Sequence, residues 1–285
     1  MLGKLMKYEW KGLRKPLSIL YLVLLGITII TAILILTINP DFDNVTSGLS
    51  LLFTILGLLL YYFGIIACSF GTILIIAIRF YKTCYTDEAY LTHTLPVSTK
   101  QLVAAKTITS VLCHLLSMLF ILLTAGLLIG VFITHMINLG EIPMDELSVG
   151  FSEVFAELND EFASEMGISF VGYFAYLGIY SLLASICSIV SILGCVSLGQ
   201  LYTKHRILGA IIAYFGMNVV TQIIAYAGMI PMYTKIFAAE YAGETVLMFD
   251  LLKPTLNITL LGSIVIAVFM YFVNLHMMTK RLNLE

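Results

Sequence analysis

The stretch SLLFTILGLLLYYFGIIACSFGTILIIAI, residues 50–78, decides the fold. It carries no charge and is longer than the ~20 apolar residues that cross a ~30 Å hydrocarbon core, so it reads as a transmembrane helix. The charge-free gap around it runs from 44 to 78, and five more gaps repeat the pattern: 16–40, 107–140, 166–203, 207–234 and 254–279. Each accommodates one helix and none comfortably holds two. Spans are expected at 17–38, 50–78, 107–137, 169–199, 207–229 and 256–278, giving an all-α integral membrane protein with one domain over 1–285.

Composition points the same way. Sixty per cent of residues are hydrophobic, 11% are charged and the mean hydropathy is +1.01, whereas about a quarter of a soluble domain is charged. The five cysteines contain no CxxC pair, and all but Cys84 lie in apolar runs, so no disulfide or zinc framework is implied. The first apolar run follows a basic segment and lacks a small-residue cleavage signature, so it is expected to remain as a span.

Cations orient the chain. Thirteen of the fifteen Lys and Arg fall in the N-terminus, the second and fourth connections and the C-terminus, with four acids; the opposite side holds Lys235, Lys253 and thirteen acids. The cation-rich segments are therefore expected in the cytoplasm, with both termini there, in a multi-pass cell-membrane protein. The net charge of −2 conceals this asymmetry and says nothing about partners.

Residues 1–15, MLGKLMKYEWKGLRK, form an amphipathic pattern. Lys4, Lys7 and Lys11 lie opposite Leu2, Leu5, Met6, Trp10 and Leu13, which suits a helix lying on the inner leaflet with Trp10 at the interface. Pro16 is expected to break it before the first span. Glu9 projects onto the apolar face; either it pairs with Arg79 at the end of the second span or it snorkels to water.

The connection 79–106 is the most structured polar stretch. Thr86 caps a short helix carrying Asp87 and Glu88 in its first turn, Leu95-Pro96 ends it, and Ser98 with Gln101 forms a capping box that opens a helix running through Lys106 into the third span. On the other side, 151–166 places Phe151, Val154, Phe155, Leu158 and Phe162 opposite Glu153, Glu157, Asp160 and Glu161, an amphipathic helix inside an acidic segment, 139–168. The connection 230–255, with Pro231 and Pro254 near its ends, is too apolar for a free loop and reads as one or two short re-entrant helices.

Motifs for chemistry are lacking: there is no GxxxxGK[ST], HExxH or GxSxG, and the five histidines have no second ligand one turn away. No catalytic, cofactor-binding or metal-binding residue is assigned, which weakens an intramembrane hydrolase reading. No Asp, Glu, Lys or Arg lies mid-span, which argues against an ion-coupled carrier. Tyr173, Tyr176 and Tyr180 on the fourth span, with Asn218 and Gln222 on the fifth, either line a substrate path or serve the aromatic belt and interhelical hydrogen bonding. Gly57, Gly64 and Gly71, Gly126 with Gly130, and the run Ser181, Ala184, Ser185, Ser188 and Ser191 mark close helix contacts, within one chain or across a dimer.

Together, MLGKLMKYEWK at the N-terminus, FYKTCYTDEAYLTHTLPVSTKQLVAAK after the second span, six spans and an apolar segment before the last one resemble the permease subunits of ABC type-2 exporters of Firmicutes. The resemblance implies a homodimer in the lipid bilayer, with separate ATP-binding subunits that carry ATP and magnesium. This chain would then be neither the enzyme nor a nucleic-acid binder. A coupling helix at about Thr86 to Thr92, with Tyr85, Thr86, Asp87, Glu88, Tyr90 and Leu91, would meet the ATPase, braced by the interfacial helix Lys4, Lys7, Glu9, Trp10 and Lys11. The cargo would be amphipathic or hydrophobic, a peptide or a lipid. The 139–168 segment exceeds the family's minimal plan and would contact cargo, recruit an accessory protein or solvate the outer face. The rival reading is a non-transporting membrane protein for signalling, immunity or assembly.

Overall fold

The computed structural model describes residues 2–38, 45–86, 88–90, 96–140, 144–202, 204–242 and 247–280, with backbone alone for 45–47, 144–151 and 154. Helices α1 (Leu2–Ile35), α2 (Val45–Tyr85), α3 (Thr99–Asn138), α4 (Met144–Glu161), α5 (Phe170–Leu198), α6 (Arg206–Ala242) and α7 (Met248–Lys280) follow in order. A π turn, Phe162–Met166, follows α4, and a 3₁₀ turn, Gly199–Leu201, follows α5. No strand occurs among the described residues. All but α4 are long and apolar enough to cross a bilayer, and at 1.5 Å per residue even α5 measures about 44 Å. The protein is a multi-pass helical membrane protein.

Helix α1 packs chiefly on α2 and α3, α5 to α7 form a second group, and α5 also touches α2 and α3. The glycine heptad belongs inside the chain. Gly57, Gly64 and Gly71 face Leu34, Ile27 with Leu24, and Leu20 of α1, and Thr31 donates to the Gly57 carbonyl at 3.0 Å. A carbonyl that approachable requires the close backbones that small residues allow. Gly126 and Gly130, by contrast, face open space. Helix α5 is the central one: Ser191 to Ser197 are all buried, and a Cβ on Gly194 would lie 2.8 Å from the Met270 carbonyl of α7.

Several buried hydroxyls pair between helices, whereas Thr107 Oγ1 and His114 Nδ1 of α3 and Thr255 Oγ1 of α7 find no hydrogen-bond partner among the described residues. Tyr61 bonds Thr124 at 3.0 Å, Thr72 donates to Ser117 at 3.1 Å, and Tyr21 also bonds Ser117.

Four helix boundaries differ from expectation. Pro16 lies inside α1 rather than ending it. Proline removes one helix bond, but Leu13 and Leu17, one turn apart on either side, are buried in the same cluster and hold one continuous helix. Likewise Pro231 and Pro254 lie inside α6 and α7, so 230–242 and 248–255 extend those helices instead of forming separate short ones. Gly228 of α6 packs beside the Thr255 carbonyl there. Helix α4 starts at Met144, ahead of the expected 151, because Gly150 costs a helix only about 1 kcal/mol. It ends in the π turn and Gly167, whose φ of +76° suits glycine.

Candidate functional site

The Lys- and Arg-rich end of the bundle brings together the residues of 79–106 and the N-terminal helix. Helix α2 outruns its apolar stretch and carries the buried stripe of Cys68, Thr72, Ile76, Phe80 and Cys84 to its end. Tyr85, the next residue, is also inside: it is 2% exposed and donates its hydroxyl to Ser197 of α5 at 2.9 Å. Ser197 lies 2.8 Å from Asn274 Oδ1 of α7 and 3.1 Å from the Leu193 carbonyl, so its single proton has two acceptors. Asn274 is 1% exposed. A polar chain thus joins α2, α5 and α7, and Tyr85 is a core residue rather than part of the expected docking surface. Tyr85 lies one residue off that stripe, so the i, i+4 pattern gave no direct signal of its burial.

Thr86 also differs from expectation: its hydroxyl donates back to the Lys82 carbonyl at 2.7 Å instead of capping the next turn, while its own carbonyl accepts from Ala89 N–H at 2.7 Å. Residues 88–90 are helical, with Ala89 buried and Glu88 and Tyr90 exposed. Asp87 and Leu91 lie outside the described residues, as does the Leu95 end of the expected short helix. Ser98 caps α3 as expected, accepting from Gln101 N–H at 3.4 Å.

Helices α1, α2 and α3 meet at a charged cluster beside this loop. Lys106, 3% exposed, donates to Glu9 Oε1 and to Thr83 Oγ1, the latter at 2.6 Å. The expected Arg79 partner is present but more distant, its Nε 3.7 Å from Glu9 Oε2. The guanidinium lies directly over Gly12, where a Cβ would collide with it. Lys106 escaped sequence reading because its acceptor is 97 positions away. Lys4, Lys7, Trp10 and Lys11 are exposed along α1.

Three of the candidate path residues, Tyr173, Tyr176 and Asn218, have separate partners. Tyr176 donates to Asn257 of α7 at 2.8 Å and its ring meets Phe249, as does that of Tyr173. Phe162 packs on Phe170 and Tyr173, tying the acidic segment to α5, while Glu153, Glu157, Asp160 and Glu161 are exposed. Tyr180 is half-buried. On α6, Asn218 donates to the Tyr214 carbonyl of its own helix at 2.9 Å, and Gln222 is exposed. Tyr173 and Tyr176 therefore serve contacts of α5 with α7 and the acidic segment.

Among the described residues no group of His, Cys, Asp and Glu is arranged to hold a metal ion. Compared with protein families, curated proteins and solved structures, the chain matches none.

Proposed function

We propose that this chain is the membrane-spanning permease subunit of an ATP-driven exporter. In this reading its cation-rich end faces the cytoplasm and a separate ATP-binding subunit, carrying ATP and magnesium, docks on the loop after α2. Two copies form the pathway for an amphipathic or hydrophobic cargo, a peptide or a lipid. The observation that carries the reading is how the loop is rooted. Tyr85 ties its start to α5 and α7 through Ser197 and Asn274, and Lys106 with Thr83 and Glu9 ties its two flanking helices to α1. A push on exposed Glu88 and Tyr90 would reach both helix groups through groups that are already ordered, so little entropy is lost on docking.

Interfaces of this kind take affinity from aromatic rings and register from charge. Truncating a tyrosine anchor typically costs ~2 kcal/mol, roughly a thirtyfold loss of affinity. The test is purification of the tagged chain from its native membrane. The unaltered chain brings down an ATP-hydrolysing subunit, and Tyr90→Ala with Leu91→Ala releases it while the permease stays folded. Unchanged stoichiometry in the double variant refutes the docking assignment. Failure of the unaltered chain to recruit any ATPase leaves the non-transporting reading.

A further inference from the structure

At the cation-rich end, a groove of about 760 Å³ opens between the start of α3, the end of α5 and the last turns of α7. Its walls are largely apolar, including Leu201, Phe269 and Phe272, all at least half exposed. Its polar lining includes Lys100, His276 and Lys280. Neither lysine pairs with a carboxylate among the described residues. The groove has a polarity gradient along α7. Lys280 closes the helix, and Phe269 lies eleven residues earlier, about 16 Å along the axis. Half of a ~30 Å hydrocarbon core is about 15 Å. Cations therefore stand at one end of an apolar trough one leaflet deep.

We propose that this groove is a binding site for an anionic phospholipid, an acyl chain lying along Phe269 and Phe272 and the head group held by Lys100 and Lys280. An apolar wall of this length has no use for a free anion, and two lysines at its mouth with no carboxylate partner among the described residues distinguish an anionic head group from a zwitterionic one. The site is independent of the transport reading, since it needs only the membrane that the six helices imply.

The test uses the full chain in neutral detergent, titrated with phosphatidylglycerol or with phosphatidylcholine of the same acyl chains, counting bound lipid by native mass spectrometry. A lysine near an anionic membrane surface contributes about fivefold to binding. The first phosphatidylglycerol should therefore bind roughly 25-fold more weakly to Lys100→Gln with Lys280→Gln, and phosphatidylcholine binding should not change. A control pair, Lys82→Gln with Lys204→Gln, removes the same charge from exposed positions outside the groove. Retained selectivity in the control and its loss in the groove variant, at unchanged melting temperature, supports the site. No preference for phosphatidylglycerol in the unaltered chain, an equal loss in both pairs, or displacement of the lipid by inorganic phosphate alone would overturn it. Leu198→Trp, which fills the groove without touching charge, should weaken both lipids; unchanged binding would also count against the site.

Discussion

Glu9→Gln and Lys106→Met remove opposite halves of one ion pair, and their surroundings make the two losses unequal. Breaking a buried pair costs ~3–5 kcal/mol, mostly because the remaining charge is left without compensation. After Lys106→Met the carboxylate of Glu9, 16% exposed, retains Arg79 Nε at 3.7 Å, which places the loss near the low end, about 3 kcal/mol. After Glu9→Gln the ammonium of Lys106 stays 3% exposed with Thr83 Oγ1 at 2.6 Å and the Arg79 cation nearby, so about 5 kcal/mol is expected. The double variant has no orphaned ammonium and should be more stable than Glu9→Gln alone. Trp10, the single tryptophan, adjoins Glu9, so its fluorescence during denaturant titration of the purified protein reports this corner directly. Losses below about 1 kcal/mol in both single variants, or strict additivity in the double, would refute a structural role for the pair.

Three further outcomes follow from the contacts. Tyr85→Phe keeps the ring and loses one buried hydrogen bond to Ser197, so stability in a denaturant titration should fall by about 1 kcal/mol, and no change would mean the bond carries nothing. Gly194→Val drives a side chain into the Met270 backbone, whereas Gly126→Val enters open space; the first should abolish a folded peak on size exclusion and the second should keep it. Cysteines placed at Ser98 and Lys204, in a background lacking the five native ones, should be shielded from an impermeant thiol reagent in intact cells while one at Glu157 reacts; labelling of Ser98 from outside would reverse the assigned orientation.

Six membrane helices were legible because hydrophobicity adds up along a continuous stretch, and a bilayer reads that sum without reference to the rest of the chain. The cap at Ser98 was legible for a related reason: its donor, Gln101 N–H, is three residues away. Helix ends at proline were misjudged because a local rule gives way when both flanks are buried, as Leu13 and Leu17 are around Pro16. Part of the site was visible as well. Glu9 stood out as a charge on an apolar face, and Arg79 was its foreseeable partner. Lys106 was not, since a helix position fixes a direction but not which neighbour crosses there. Tyr85 was misplaced on the surface because burial at a span's end depends on where α5 and α7 cross α2. By itself the sequence determined solvent, the number of membrane-crossing helices and the uneven placement of charge, all local sums. Only the tertiary structure decided that Glu9 meets Lys106, that Tyr85 reaches Ser197 and Asn274, and that Gly57, Gly64 and Gly71 serve α1, because such pairings depend on crossing angles between helices far apart in the chain.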